Sequence, residues 1–224
     1  MSSADYILGY PFAGVTRNPF NYVKVEQIDR DVVTPWLTLD EIAQQINLYE
    51  DESQDTYLKS LELAVRQAVE DYLGMSIFPV SYRVYYGPES MTATPASLDL
   101  PEVSQNQYPC EPGVTIDAVR YYNINVPATI TTIAPSDYQY DPTGNKVVLQ
   151  SLPSDINSNM TAPIIVEYST VANPLQTYPV IKQAALLLFT HLYNNRSNST
   201  TANSLRDIPF GFVQLLKPYK PLVM

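Results

Sequence analysis

The chain has 224 residues, 45% of them hydrophobic and 16% charged, enough for one large domain or two small ones. Its net charge of −10 argues against gripping nucleic acid, because phosphate binding needs a Lys/Arg patch, and leaves open a passage through which DNA slides without sticking. The single Cys110 excludes an intrachain disulfide and a Cys-rich zinc site. The opening MSSADYILGY is expected to be no secretion signal, and the apolar run Ala184 to Phe189 is too short to span a bilayer.

Residues 1–36 hold no helical period. Pro11, Pro19 and Pro35 punctuate Tyr6, Tyr10, Phe12, Phe20, Tyr22 and Trp36, which reads as an aromatic arm laid on its own domain or on a neighbouring subunit. Thr38 and Glu41 form a T-x-x-E capping box, predicting a short helix over 38–47 with Leu39, Ile42, Ala43 and Ile46 on its apolar face. A longer helix is expected over 54–73. Tyr57, Leu58, Leu61, Ala64, Val65, Ala68, Val69 and Tyr72 recur at offsets of three and four, and Lys59, Glu62, Arg66 and Glu70 make the opposite, solvated face. Glu62 and Arg66 are spaced for a helix ion pair, and Gly74 stands where a left-handed cap is expected.

After Gly74 the period turns to alternation. Val80, Tyr82, Val84 and Tyr86 share one face of a strand. Further strands are read around Leu98–Leu100, Val114–Tyr121, Thr129–Ile133 and Ile164–Thr170. A hairpin is read where Tyr138–Tyr140 and Lys146–Gln150 flank Asp141-Pro142-Thr143-Gly144-Asn145. A third helix is expected over 179–193, opened by Pro179 and apolar nearly all round, as a buried partner for the 54–73 helix. A polar loop, Asn194 to Ser204, then leads to a short apolar helix stopped by Pro218. Two N-x-S/T triplets, at Asn195 and Asn198, carry little weight without a secretion signal.

The fold class is therefore α+β: a small helical bundle, made of two N-terminal helices and the C-terminal helices, with an inserted antiparallel β module. The expected divisions are an arm at 1–36, a helical domain at 37–78 and 174–224, and the β module at 79–173. Expected core residues are Leu61, Val65, Ala68, Ala184, Leu187 and Leu188.

The chain offers little chemistry. His191 sits within an apolar helix and reads as structural. No nucleophile elbow, zinc-protease, phosphate-loop or dinucleotide motif is present, and Asp51, Glu52 and Asp55 lack the spacing of a calcium loop. No enzyme activity, metal or cofactor is expected. Acids dominate from Asp40 to Asp71, while Lys182, Arg196, Arg206, Lys217 and Lys220 face only Asp207 towards the end. The two could meet between subunits or neutralise each other within one.

The segment LTLDEIAQQINLYEDESQDTYLKSLELAVRQAVEDYLG, a β stretch, YPVIKQAALLLFTHLYNNRS and IPFGFVQLLKPYK follow one another in that order. Over residues 37–220 this resembles the head–tail connector (adaptor) proteins of tailed bacteriophages. The resemblance implies a structural protein of the virion neck, made in the host cytoplasm. It implies a homo-oligomeric ring, typically dodecameric, that docks below the portal protein, extends the DNA channel without specific DNA binding and offers a surface to a downstream tail protein. The implied portal interface is the C-terminal segment, with Phe210, Phe212, Leu215, Leu216, Pro218 and Tyr219. That segment is expected to be needed for docking but not for folding of residues 37–193. The competing expectation is a Tyr-rich β binding module of a phage tail that recognises a carbohydrate or a protein.

Overall fold

The structure is a computed structural model that describes residues 21–48, 52–91, 95–102, 113–196 and 210–220. It is an α+β fold. The strands are β1 Tyr22–Arg30, β2 Val80–Tyr86, β3 Ala96–Asp99, β4 Val114–Tyr122, β5 Ile130–Thr132, β6 Tyr138–Asp141, β7 Lys146–Leu149 and β8 Ile164–Thr170. The helices are α1 Leu39–Ile46, α2 Asp55–Leu73, α3 Pro179–Asn194 and α4 Phe210–Leu216. Five strands form one sheet in the order β1-β2-β8-β4-β5, and three form a second in the order β3-β7-β6.

β1 differs from the sequence expectation, which placed no strand before residue 37. Its burial does not alternate, so the two-residue period that marks a half-buried strand is missing from its sequence. β2 behaves as read: Val80, Tyr82, Val84 and Tyr86 are buried and the residues between them are not fully so. In β4 the alternation slips, because Ala118 and Val119 are both buried and the inward phase then continues through Tyr121. The β6–β7 hairpin pairs Tyr138 with Leu149 and Asp141 with Lys146. Its turn is held by the Asp141 carboxylate, which accepts from the Thr143 backbone N–H at 2.9 Å, and by Asn145 at φ 52.

The helix ends follow their sequence signals. Thr38 Oγ1 accepts from the Glu41 N–H, and the Glu41 carboxylate accepts from the Thr38 N–H, which closes the capping box. Gly74 caps α2 at φ 68 in open space, so its need for glycine is one of backbone angle and not of room.

The chain divides into two compact units. One comprises 1–26, 82–101 and 116–168, and the other 27–81, 102–115 and 169–224. The first is the β unit. Its interior holds Tyr82, Val84, Tyr86, Leu98, Val119, Tyr121, Leu149, Val166 and Tyr168. The second is the helical unit. Its core gathers Trp36, Leu37, Ile42, Leu58, Val65, Val69, Leu73, Ile181, Ala184, Leu188, Phe189, Phe212 and Leu216 into one cluster. α2 packs on α3, and α4 packs on α3.

Candidate docking face of the helical unit

α2 sets the geometry of this face with its charges as much as with its leucines. Glu62, Arg66 and Glu70 are 1%, 0% and 4% exposed, although the sequence places them on a solvated face. Glu62 and Arg66 are buried under the chain from Asp31 to Leu37, and Glu70 beside Arg30 and Ile77, whose polar groups need partners. One Glu62 oxygen accepts from the Trp36 and Leu37 N–H groups at 2.8 and 3.0 Å. The Arg66 guanidinium donates to the carbonyls of Asp31 and Thr34. Glu70 accepts from Ile77 N–H at 3.0 Å on one oxygen and from Arg30 Nη2 at 2.6 Å on the other. The expected Glu62–Arg66 pair gives way to backbone bonds from Glu62, and the i,i+4 ion pair on this row is Arg66 with Glu70, at 4.0 Å. The second Glu62 oxygen and Arg66 Nε are buried without a hydrogen-bond partner. Burial pushes the Glu62 carboxyl up, against the pull of the two N–H bonds and of Arg66, and the charge of Glu70 pushes the same way.

The Asp31 carboxyl moves the other way. It accepts from the Thr34 side chain and from the Thr34 and Val33 N–H groups, which hold its pKa down at about 2. This turn throws Pro35 outward, while Trp36 is pinned by a 2.9 Å bond from its Nε1 to the Gln176 carbonyl. Pro35 consequently stands between two clefts. One, of ≈ 480 Å³, is lined by Thr34, Pro35, Trp36, Phe78, Gln176, Thr177, Pro179 and Lys182. The other, of ≈ 320 Å³, is floored by Leu37, Leu39 and Ile42, with Asp40, Lys59 and Glu62 around it.

The C-terminal segment docks on its own unit. Phe212 is 4% exposed and Leu216 is fully buried in the helical core. Tyr72 lies 5.7 Å from the Phe212 ring, Tyr219 meets Tyr178 edge-on at 5.8 Å, and Lys220 Nζ stands 5.3 Å above the Tyr72 ring. Leu215 and Tyr219 are half-buried, Pro218 is exposed, and the Phe210 side chain lies outside what is described. The outward face of the segment is thus Gln214, Lys217, Pro218 and Lys220, polar and basic.

Of the expected core residues, Val65, Ala184 and Leu188 are buried, and Leu61 and Leu187 are half-buried. Ala68 is exposed. The inward stripe of α2 is rotated towards Leu58, Glu62, Val65, Val69 and Leu73, which leaves Ala68 on the rim. His191 is half-buried and its carbonyl accepts from the Asn195 side chain, while Cys110 lies outside the described residues. Two of the terminal bases find partners within the unit. Lys182 pairs with Glu41 at 2.8 Å, and Arg196 covers the Tyr57 and Tyr193 rings at 4.5 and 4.7 Å. Four tyrosines of the β unit are turned inward: Tyr82, Tyr86, Tyr121 and Tyr168 are buried, and Tyr82 stacks on Tyr168 at 5.4 Å, while Tyr22, Tyr85, Tyr122, Tyr138 and Tyr140 are half-buried. Among the described residues no group of three or more His, Cys, Asp or Glu is placed to hold a metal, and no helix is long and apolar enough to cross a membrane.

The sequence signal of the buried charges does not tell burial from exposure. Glu62, Arg66 and Glu70 recur at exact helical turns beside the Leu58–Val65–Val69 stripe, and a solvated row and a buried row share that spacing.

No protein-family model and no curated protein matches the sequence. Solved structures do share its fold. A chain from the neck of an empty GTA particle, computed with C6 symmetry, is 17% identical, with a TM-score of 0.57 over 90% of this chain and 97% of that one. A chain from the virion of the native gene transfer agent (GTA) particle gives 0.58 at 14% identity, and one from the native GTA neck, computed with C12 symmetry, gives 0.53 at 15%, with the same coverage. At these identities the likeness establishes a common fold, running through both units of this chain.

Proposed function

We propose that this chain is a structural protein of the neck of a phage-like particle, a head–tail connector that forms a ring below the portal, extends the DNA channel and joins the tail. The observation that carries this reading is the shared fold with GTA neck chains over 90% of the sequence. Those necks were computed with C6 and C12 symmetry, which supports a ring of copies. The net charge of −10 supports passage of DNA without retention. The role needs no catalysis and no cofactor.

The portal-facing surface in this reading is the outward side of the C-terminal segment. Because Phe212 and Leu216 are committed to the core, docking falls to Lys217, Pro218 and Lys220, with Leu215 and Tyr219 at the edge. Two exposed lysines favour an acidic partner surface and speed encounter more than they tighten the complex. The test is to mix the full chain with the portal protein of its own particle and image the product by electron microscopy. A ring stacked on the portal is expected, with docking weakened in Lys217→Glu/Lys220→Glu. A chain that forms no ring and ignores the portal sinks the reading.

A further inference from the structure

The loop after β4 is a built apolar knob. Buried Asn123 organises it: its Oδ1 accepts from Asn125 N–H at 3.2 Å and Thr129 N–H at 3.0 Å, and its Nδ2 donates to Thr129 Oγ1 at 2.7 Å. The Ile124 N–H is tied to the Asp155 carbonyl at 2.9 Å, and the Tyr121 hydroxyl to the Asp155 carboxylate at 2.8 Å. Five such bonds fix the backbone, yet they hold Ile124 61%, Val126 98% and Ile130 52% exposed. From Tyr121 to Ser136 the chain carries no charged residue. A preorganised loop with apolar tips has its ordering cost met before it binds.

The ≈ 480 Å³ cleft of the helical unit has matching chemistry. Pro35, Trp36, Phe78 and Pro179 line it, and exposed Val33, Tyr178 and Val180 are chain neighbours of lining residues. Its single charged lining residue, Lys182, is already paired with Glu41. Copies that each carry a net charge of −10 repel, which favours a contact between surfaces without charge. We propose that the Ile124–Val126–Pro127 tip of one copy seats in the Trp36–Phe78–Pro179 cleft of the next, a head-to-tail contact that closes a ring when repeated. The contact rests on the neck-ring reading and specifies how its copies meet.

The experiment uses the full chain, with self-association followed by analytical ultracentrifugation and folding checked by thermal unfolding. Val126→Asp and Thr177→Glu alter exposed residues on the knob and in the cleft. Each variant alone is expected to lose association by at least about tenfold in Kd. Mixed together they retain one intact knob and one intact cleft, and are expected to form a one-to-one dimer and nothing larger. Either variant associating like the wild type overturns the proposal, as does a mixture that stays monomeric. A wild-type chain that stays monomeric up to millimolar concentration overturns it too, while the neck reading, tested by co-assembly with portal, stands or falls separately.

Discussion

Two rows of alternating charge cross this protein, and they behave oppositely. On α2, Glu62, Arg66 and Glu70 are closed off from water and are satisfied mostly by backbone groups of the chain laid over them. In the β unit, Glu26, Arg83, Glu167 and Arg120 form a row over the neighbouring strands β1, β2, β8 and β4. There Arg83 Nε meets Glu167 at 2.7 Å, Arg120 Nη1 meets its other oxygen at 3.0 Å, and Arg83 stands 3.8 Å from Glu26. The side chains of Glu26, Arg83 and Arg120 are 35–38% exposed. The residue types are the same, and what differs is the medium. In the interior a charge is tolerated when every neighbour depends on it, whereas at the surface water screens each pair and makes it replaceable.

The sharpest way to break this contrast is Arg66→Met. The guanidinium serves the Asp31 and Thr34 carbonyls and faces the Phe78 ring at 4.9 Å. Its loss strands two carbonyls and removes the positive charge beside Glu62 and Glu70. Denaturant unfolding should show a loss of about 3–5 kcal/mol. A loss as small as that of a surface pair would mean that the α2 row is solvated in solution.

Leu216→Ala should come next, at about 2–5 kcal/mol, because it opens a cavity in the helical core. Deletion after Ser204 removes Phe212 as well and should lower the thermal midpoint further. That outcome differs from the expectation that the segment is dispensable for folding. From sequence, a short apolar helix behind a polar loop fits a free docking arm and a core helix equally well. The core contacts decide it for Phe212 and Leu216.

What could be read in advance follows the same physics. Capping residues, glycine stops and two-residue alternation act locally, so α1, the end of α2, β2 and the β6–β7 hairpin stand where the sequence puts them. β1 and the buried face of α2 depend on what covers them. Val23 and Ile28 are exposed on β1, which sits at the edge of its sheet, so its pattern carries no inward phase. Ala68 and Glu62 exchange their expected places because Trp36 and Leu37 donate to Glu62 from far along the chain. The C-terminal segment was legible as an element but not by side, since burial on its own core divides Phe212 and Leu216 from Lys217 and Pro218.

Glu62 sharpens the comparison through pH. Its carboxyl is raised above 4.5 in the folded protein, so its ionised form opposes folding. Its contribution is fully present below the unfolded pKa and is lost as pH rises through the raised folded value. Asp31, held at about 2 against an ordinary 3.8, contributes stability above 3.8 that is lost as pH falls towards 2. Glu62→Gln keeps the acceptor for Trp36 and Leu37 but cannot ionise, so its thermal midpoint should gain on the wild type as pH rises above 4.5. Glu62→Leu strands both N–H groups and should lose about 1–3 kcal/mol for each at any pH. Parallel pH profiles for Glu62→Gln and the wild type would show that this carboxyl titrates normally.

The smallest effect is expected on the sheet. Glu167 is the centre of its row, bonded to Arg83 and Arg120 and itself 13% exposed, so it is the member of the row with most to lose. Glu167→Gln retains one acceptor oxygen and removes the charge. Its partners are more than a third exposed and regain water when released, so the loss should be about 0.5–1 kcal/mol, and less in high salt. Arg120→Gln, at the end of the row, should cost less still. The salt dependence is the part that decides: the Glu167→Gln deficit should shrink on going from low to high ionic strength, while the Arg66→Met deficit should stay constant, because ions cannot enter the strap over α2. If the two deficits respond to salt alike, then water reaches both rows, and burial does not separate them.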